Sequence, residues 1–411
     1  MQQIKIHSAF IAIIIALTLL CACHDRHSGP TFVSKSAHTL LIYIEGDNSL
    51  SHYADINIRS CMDGLLKSDN PLNLVVYKDN NSGKPALFQL KRSSHNASKI
   101  DTVYIQRWTD DIDSSSPEVI SEVINMAFSK FDADVRGIDF WSHGMSWIPS
   151  DSYKPSRMKT YFGQDGNNYT ELWDLRRALE QVSYPVDYLM FDACHMATAE
   201  VLYELRNTCQ YILASPTEIM GDGFPYADML SALSDAQTPD QLLPSLQNAY
   251  EWFASAYSDN GTFSLLSTDG AEELYDACRD IYRNADVTAK AEDAQYVSES
   301  IQRYGRKRTY ALYYFHDALD WGNNYNPRQS EDDIARATAL RNAIERCVLR
   351  SYYSRRFTDG KESLTIINCC GLALSVPEIW PLTETLTNNK GEIVKTAAEL
   401  NDAYTHLQWQ L

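Results

Sequence analysis

Gly137-Ile138-Asp139-Phe140-Trp141-Ser142-His143-Gly144 and Val186-Asp187-Tyr188-Leu189-Met190-Phe191-Asp192-Ala193-Cys194-His195 decide how this chain is read. Each is a short, mainly apolar run of strand length that ends in a reactive side chain, His143 in one and Cys194 in the other. Such runs read as strands buried on both faces, the situation of a parallel sheet. The 51 positions from His143 to Cys194 leave room for one crossover, with a helix predicted over about Thr170 to Val182. A right-handed crossover lays consecutive parallel strands side by side or nearly so, and open parallel sheets build their sites outside the carboxyl ends of the strands. A thiol and an imidazole are therefore expected at one rim. There the imidazole takes the thiol proton and leaves a nucleophilic thiolate.

The same alternation of strands and helices extends outward. Thr39 to Glu45 is strand-like, and Gly46-Asp47-Asn48-Ser49 supplies turn and cap chemistry before a helix to about Leu66. Strands follow at Leu72 to Tyr77, Ala86 to Leu90 and Thr102 to Ile105. A helix with proline in its first turn begins at Ser116-Pro117-Glu118 and runs to about Phe131. After Cys194 a helix is predicted from about His195 to Leu205, with amides that favour a negative sulfur. Gln210 to Ser215 is another strand. Further helices are expected over about Thr238 to Tyr257, Asp269 to Arg283, Ala289 to Arg303 and Asp332 to Tyr352. The remaining strands are expected at Thr262 to Leu266, Tyr310 to Phe315 and Gly371 to Val376. The pattern predicts an α/β fold with a mostly parallel central sheet covered on both faces. A core over 38–268 is followed by a helical subdomain, 269–411, whose strands complete the sheet.

Of 411 residues, 36 are Lys or Arg and 54 are Asp or Glu, a formal net charge of −18. This balance argues against nucleic acid and anionic membrane surfaces as partners. There is neither a phosphate loop nor a dinucleotide fingerprint. At the N-terminus, Lys5 precedes the apolar run Ala9 to Leu20, too short to span a bilayer comfortably and laid out like an export signal. Leu20-Cys21-Ala22-Cys23 resembles a bacterial lipobox. That resemblance implies a signal peptide over 1–22, lipidation of Cys23, a polar tether over 23–37 and a membrane-anchored protein in the periplasm or at the cell surface. The alternative is an ordinary cleaved signal. Of nine cysteines, seven lie beyond this leader, an odd number that is no disulfide scaffold, and their spacings do not match a structural zinc site. No metal-ligand set is assigned.

Trp141-Ser142-His143-Gly144 with Trp147, and Asp192-Ala193-Cys194-His195-Met196-Ala197-Thr198-Ala199-Glu200 with Tyr203-Glu204-Leu205, resemble the two signature blocks of clostripain-like cysteine peptidases, relatives of the caspases. Caspases place their histidine about 50 residues before a Gln-Ala-Cys run; Asp192 stands here where they have Gln. The likeness extends to Asp47-Asn48, to Phe162-Gly163-Gln164-Asp165 and to Gly371-Leu372-Ala373-Leu374, so it covers most of the chain beyond the leader. Met145-Ser146 depart from the small residues usual at that point, which is expected to alter loop shape and not chemistry.

The resemblance implies a caspase-like α/β/α sandwich and an endopeptidase that cleaves after Arg or Lys. Cys194 would be the nucleophile and His143 its proton carrier, with the amides of Gly144 and Cys194 as oxyanion hole. Asp192, Met220 and Asp222 would line the specificity pocket. Strand alternation puts Asp192 on the side of Cys194, and Asp222 lies between Gly221 and Gly223 in the loop after the next strand. Two carboxylates facing a guanidinium make charge-assisted contacts. The polar segment Pro149 to Thr160 resembles a region of self-cleavage, with Arg157 and Lys159 as candidate points. The implied partners are peptides or proteins containing Arg or Lys. No cofactor is required, and calcium is admitted as an additional ligand, although no EF-hand-like spacing is present. Two other readings stay open: an inert binding lipoprotein on the same fold, and a thiol amidase or transpeptidase.

Overall fold

Apolar runs became strands almost wherever they were expected. The computed structural model describes residues 36–148, 162–284, 301–304, 315–326, 329–358, 360, 363–375, 386–387, 393–395 and 405–411. Cys23, Arg157, Lys159, nearly all of the expected helix 289–303 and most of the expected strand 310–315 lie outside the described residues. In chain order the strands up to Tyr353 are β1 (His38–Gly46), β2 (Asn73–Asn80), β3 (Gly83–Arg92), β4 (Ile100–Arg107), β5 (Val135–Trp141), the hairpin β6 (Phe162–Asp165) and β7 (Asn168–Thr170), β8 (Tyr188–Asp192), β9 (Tyr211–Ala214), β10 (Thr262–Ser267), β11 (His316–Asp317) and β12 (Val348–Tyr353). Nine of them form one sheet in the order β12-β10-β9-β8-β5-β1-β2-β3-β4.

Its centre, β9-β8-β5-β1-β2, is parallel throughout, and antiparallel strands extend both edges. β5 and β8 are direct neighbours, with Gly137 opposite Tyr188 and Trp141 opposite Asp192. His143 and Cys194 thus each stand two residues beyond a matched pair. Alternation along the buried strands divides the core in two. Leu41, Tyr43, Ile138, Phe140, Leu189 and Phe191 join one cluster with residues of helices Pro117–Lys130, Leu172–Glu180 and Ala271–Asn284. Leu40, Ile42, Ile44, Trp141 and Met190 join the other, with helices Ser51–Lys67, Tyr226–Leu233 and Pro239–Ala256. Helices therefore cover both faces, the expected three-layer architecture. Each fully buried large apolar side chain contributes roughly 1.5–3 kcal/mol, so both faces hold the sheet flat against its helices.

Three expected elements differ. The strand expected at Gly371 to Val376 is reduced to Ala373–Leu374, which pairs with β11 in a separate two-stranded sheet and so does not extend the central one. The helix predicted over Asp332 to Tyr352 ends at Cys347, and Val348–Tyr353 instead forms β12, antiparallel to β10. Val348, Tyr352 and Tyr353 suit a strand, and the open edge of β10 supplies a ladder that intrinsic helix preference cannot match. The helix expected from His195 begins only at Ala199, capped by Thr198, whose hydroxyl accepts the Val201 amide at 3.2 Å. The intervening amides are taken by the chain beyond β9: His195 donates to the Thr217 carbonyl at 2.8 Å and Ala197 to that of Ser215 at 3.0 Å. Cys194 therefore does not sit at a helix N-terminus. Among the described residues no helix is long and apolar enough to cross a membrane.

Candidate active site

His143 follows β5 and is tied down from the side of β1. Its carbonyl accepts the Gly163 amide at 3.0 Å. The preceding Ser142 hydroxyl donates to the Glu45 carbonyl at 2.8 Å and accepts the Gln164 amide at 3.0 Å. The ring Nε2 lies 2.9 Å from the Ser49 hydroxyl oxygen. Burial lowers the His143 pKa to about 4, so the imidazole is neutral at neutral pH and free to accept a proton.

Cys194 follows β8 in a turn, half-buried, with its Sγ accepting the Ile219 amide at 3.3 Å. The two strand ends meet at Gly144. A Cβ there would lie 2.5 Å from the Cys194 carbonyl oxygen, 2.9 Å from the Ala193 Cβ and 3.1 Å from the Cys194 nitrogen. Only glycine permits this approach. It brings the backbone after His143 against the backbone of Cys194. One residue in each of the two loops adopts the left-handed conformation, Ser146 at φ 59° and His195 at φ 57°. Such backbone is uncommon for residues with a Cβ and costs on the order of 1 kcal/mol. It is held by the Ser146–Thr198 hydroxyl contact at 2.6 Å and by the His195 ring stacked on Phe315. Met145 is buried in the core, so the departure at Met145-Ser146 is absorbed by packing and by this turn.

The two expected pocket carboxylates occupy different environments. Asp222 is exposed at the turn between Gly221 and Gly223, and its carbonyl accepts the Asn57 side-chain amide at 2.7 Å. Met220, next to Ile219, is half-buried and touches Asn260. Asp192 is only 5% exposed. Its Oδ2 accepts the Phe224 amide at 2.8 Å and stands 2.9 Å from the Tyr226 hydroxyl, which also reaches Asp139 Oδ2 at 2.7 Å. A phenol has one hydrogen to give, so two carboxylate contacts require a further proton on the pair. Burial accordingly pushes Asp192 up to about 7 and raises Asp139 well above the carboxylate range, the latter further through the charge of Asp192. Gly223 passes directly over this group, since a Cβ there would lie 2.5 Å from Asp192 Oδ2.

Ser49, Asn57, Asp139 and Tyr226 were not singled out in the sequence. Asp139 in an apolar strand and Asn57 on the buried face of a helix were the legible hints, because a buried polar group needs a partner. Asn57 bridges the Trp141 indole, 2.8 Å from its Oδ1, to the Asp222 loop. Asp317 caps helix Ala318–Asn324, its side chain accepting the Asp320 amide at 2.9 Å. Among the described residues no group of three or more His, Cys, Asp or Glu side chains is arranged to hold a metal ion.

Comparison with known proteins agrees with this architecture. The chain matches the clostripain family model over residues 42–405. It is similar to an inactive zymogen C11 protease from Parabacteroides distasonis, at 26% identity and a TM-score of 0.72, covering 91% of this chain and 97% of that one. It also shares its fold with a secreted C11 cysteine protease from Bacteroides thetaiotaomicron in complex with an irreversible peptide inhibitor, at 24% identity and a TM-score of 0.69, covering 91% and 100%. No curated protein matches. With its sheet, its histidine and cysteine blocks and a family match over nearly all of its length, this chain belongs to the clostripain family of cysteine proteases.

Proposed function

We propose that Cys194 and His143 form the catalytic pair of a lipid-anchored endopeptidase that cleaves after Arg or Lys. The observation that carries the reading is the register of β5 and β8, which end level with each other, together with the Gly144 backbone lying against Cys194. The thiol proton passes to His143 and the thiolate attacks the peptide carbonyl. Amides of Gly144 and Cys194 hold the oxyanion. His143 then protonates the leaving amine and afterwards activates the water that releases the acyl group. Every role is filled by a side chain or a backbone amide, so the chemistry requires no cofactor.

The exposed carboxylate of Asp222 is the natural partner of a substrate cation, with Met220 beside it and Asp192 below. A positional-scanning peptide library tests this: wild type should prefer Arg or Lys before the cut, and Cys194→Ala should be silent. Activity that survives Cys194→Ala would end the reading, whereas a neutral preference would overturn only the basic pocket. Self-cleavage at Arg157 or Lys159 predicts two fragments from wild type and one from Cys194→Ala. Export and anchoring through Cys23 predict that a fatty-acid label enters wild type and not Cys23→Ala.

A further inference from the structure

We infer that Ser49 is a positioning residue for His143: its hydroxyl holds the Nε2 side of the imidazole and leaves Nδ1 to exchange a proton with the Cys194 thiol. The inference rests on the reading of His143 and Cys194 as the catalytic pair. Its basis is the 2.9 Å contact between Ser49 Oγ and His143 Nε2 and the position of Ser49 in the fold. β5, which delivers His143, lies between β8, which delivers Cys194, and β1, which delivers Ser49. The strand that leads to His143 thus stands between the strand that leads to Ser49 and the strand that leads to Cys194.

The backbone on both sides of this contact is fixed by other bonds. Asn48 anchors the turn: its Nδ2 donates to the carbonyls of Glu45 at 2.9 Å and Gln164 at 3.0 Å, and its Oδ1 accepts the Leu50 amide at 2.8 Å. On the other side, the His143 carbonyl is held by Gly163. The hydroxyl and the ring are therefore brought together by the fold and not by their own attraction. A group that fixes the far nitrogen of a catalytic histidine selects its tautomer and its orientation.

The proton accounting is consistent. When the thiol S–H bond breaks, its proton moves to Nδ1, leaving a thiolate and an imidazolium with hydrogens on both nitrogens. The Nε2 hydrogen, already present in the neutral ring because Nδ1 is the accepting nitrogen, needs its acceptor most once the ring is charged. Ser49 supplies it, because its hydroxyl carries two lone pairs and, being exposed, turns its own hydrogen to water. This matters most at a site where burial otherwise opposes a charged ring. The hydroxyl oxygen accepts the Nε2 hydrogen in both charge states of the ring, and more strongly once the ring is charged.

The full chain is tested as Ser49→Ala, Ser49→Thr and Cys194→Ala, using the best library peptide for turnover and iodoacetamide for direct labelling of Cys194. Ser49→Ala should lower kcat about tenfold, the worth of one hydrogen bond to a charged partner, with KM changed less than about twofold. Labelling of Cys194 should move to higher pH, a readout that needs no substrate. Ser49→Thr, which keeps the hydroxyl, should recover most of both. Wild-type kcat and an unmoved labelling profile in Ser49→Ala would overturn the inference while leaving the catalytic pair intact. So would an equal loss in Ser49→Thr. Turnover that persists in Cys194→Ala would overturn the catalytic pair and this inference with it.

Discussion

Asp192 and Asp222 carry the same functional group, yet one forms a floor beneath the loop at Gly223 and the other stands on that loop's rim. Asp192 is shut beneath Gly223, bonded to the Phe224 amide and sharing the Tyr226 phenol with Asp139. Asp222 stands in solvent on a loop that Asn57 and Tyr257 clamp by its backbone. The floor carboxylate uses its Oδ2 to hold the start of the next helix and the loop before it. The rim carboxylate is open to solvent. Residue type is the same in both, and burial alone separates their environments.

The largest expected effect comes from removing the rim charge. Asp222→Asn should reduce kcat/KM on Arg and Lys peptides by about a hundredfold, because a charge-assisted contact contributes roughly 1.5–3 kcal/mol. Its melting temperature should stay that of wild type, since exposed substitutions fall within about 0.5 kcal/mol. Normal kinetics in this variant would break the division and return the substrate contact to Asp192.

The floor should behave in the opposite manner. Asp192→Ala leaves the Phe224 amide and the Tyr226 hydroxyl without their acceptor, and should cost about 1–3 kcal/mol in denaturant unfolding. Tyr226→Phe should cost somewhat less, about 1–2 kcal/mol, because it removes one hydroxyl and leaves the protonated carboxyl able to bridge to its neighbour. Undisturbed unfolding in both variants would show that the floor does not support the loop.

The last expected effect is a slope with pH. Asp192 is raised from 3.8 to about 7, so the folded protein retains a proton that the unfolded chain has released. This contribution to stability is fully present below about pH 4 and is lost as pH rises to about 7. Asp192→Asn should flatten that part of the stability profile. His143, lowered from 6.5 to about 4, acts in the other sense: its contribution is present above 6.5 and is lost as pH falls towards 4. An unchanged profile in Asp192→Asn would assign the acidic slope to other groups.

Much of this was legible in the chain. Continuous apolar runs located β1, β5, β8 and β10, and the spacing of His143 and Cys194 anticipated two adjacent parallel strands. What could not be read locally was wherever a long-range bond overruled a short-range preference. Val348 to Tyr353 left a helix for the open edge of β10. Residues 195–198 stayed out of the next helix because Ser215 and Thr217 claimed their amides. Ser49 looked like an ordinary turn residue until the fold set it beside a ring 94 positions away.

The order of residues alone settled which strands would be buried and which reactive groups would end them, since apolar patterning and turn chemistry act over a few positions. It also carried enough of the histidine and cysteine blocks to disclose the family. Only the folded molecule decided which carboxylate faces water, which hydroxyl meets the imidazole and how closely Gly144 approaches Cys194. Those depend on register, burial and competition for hydrogen bonds between segments far apart in the chain, and no local pattern encodes them.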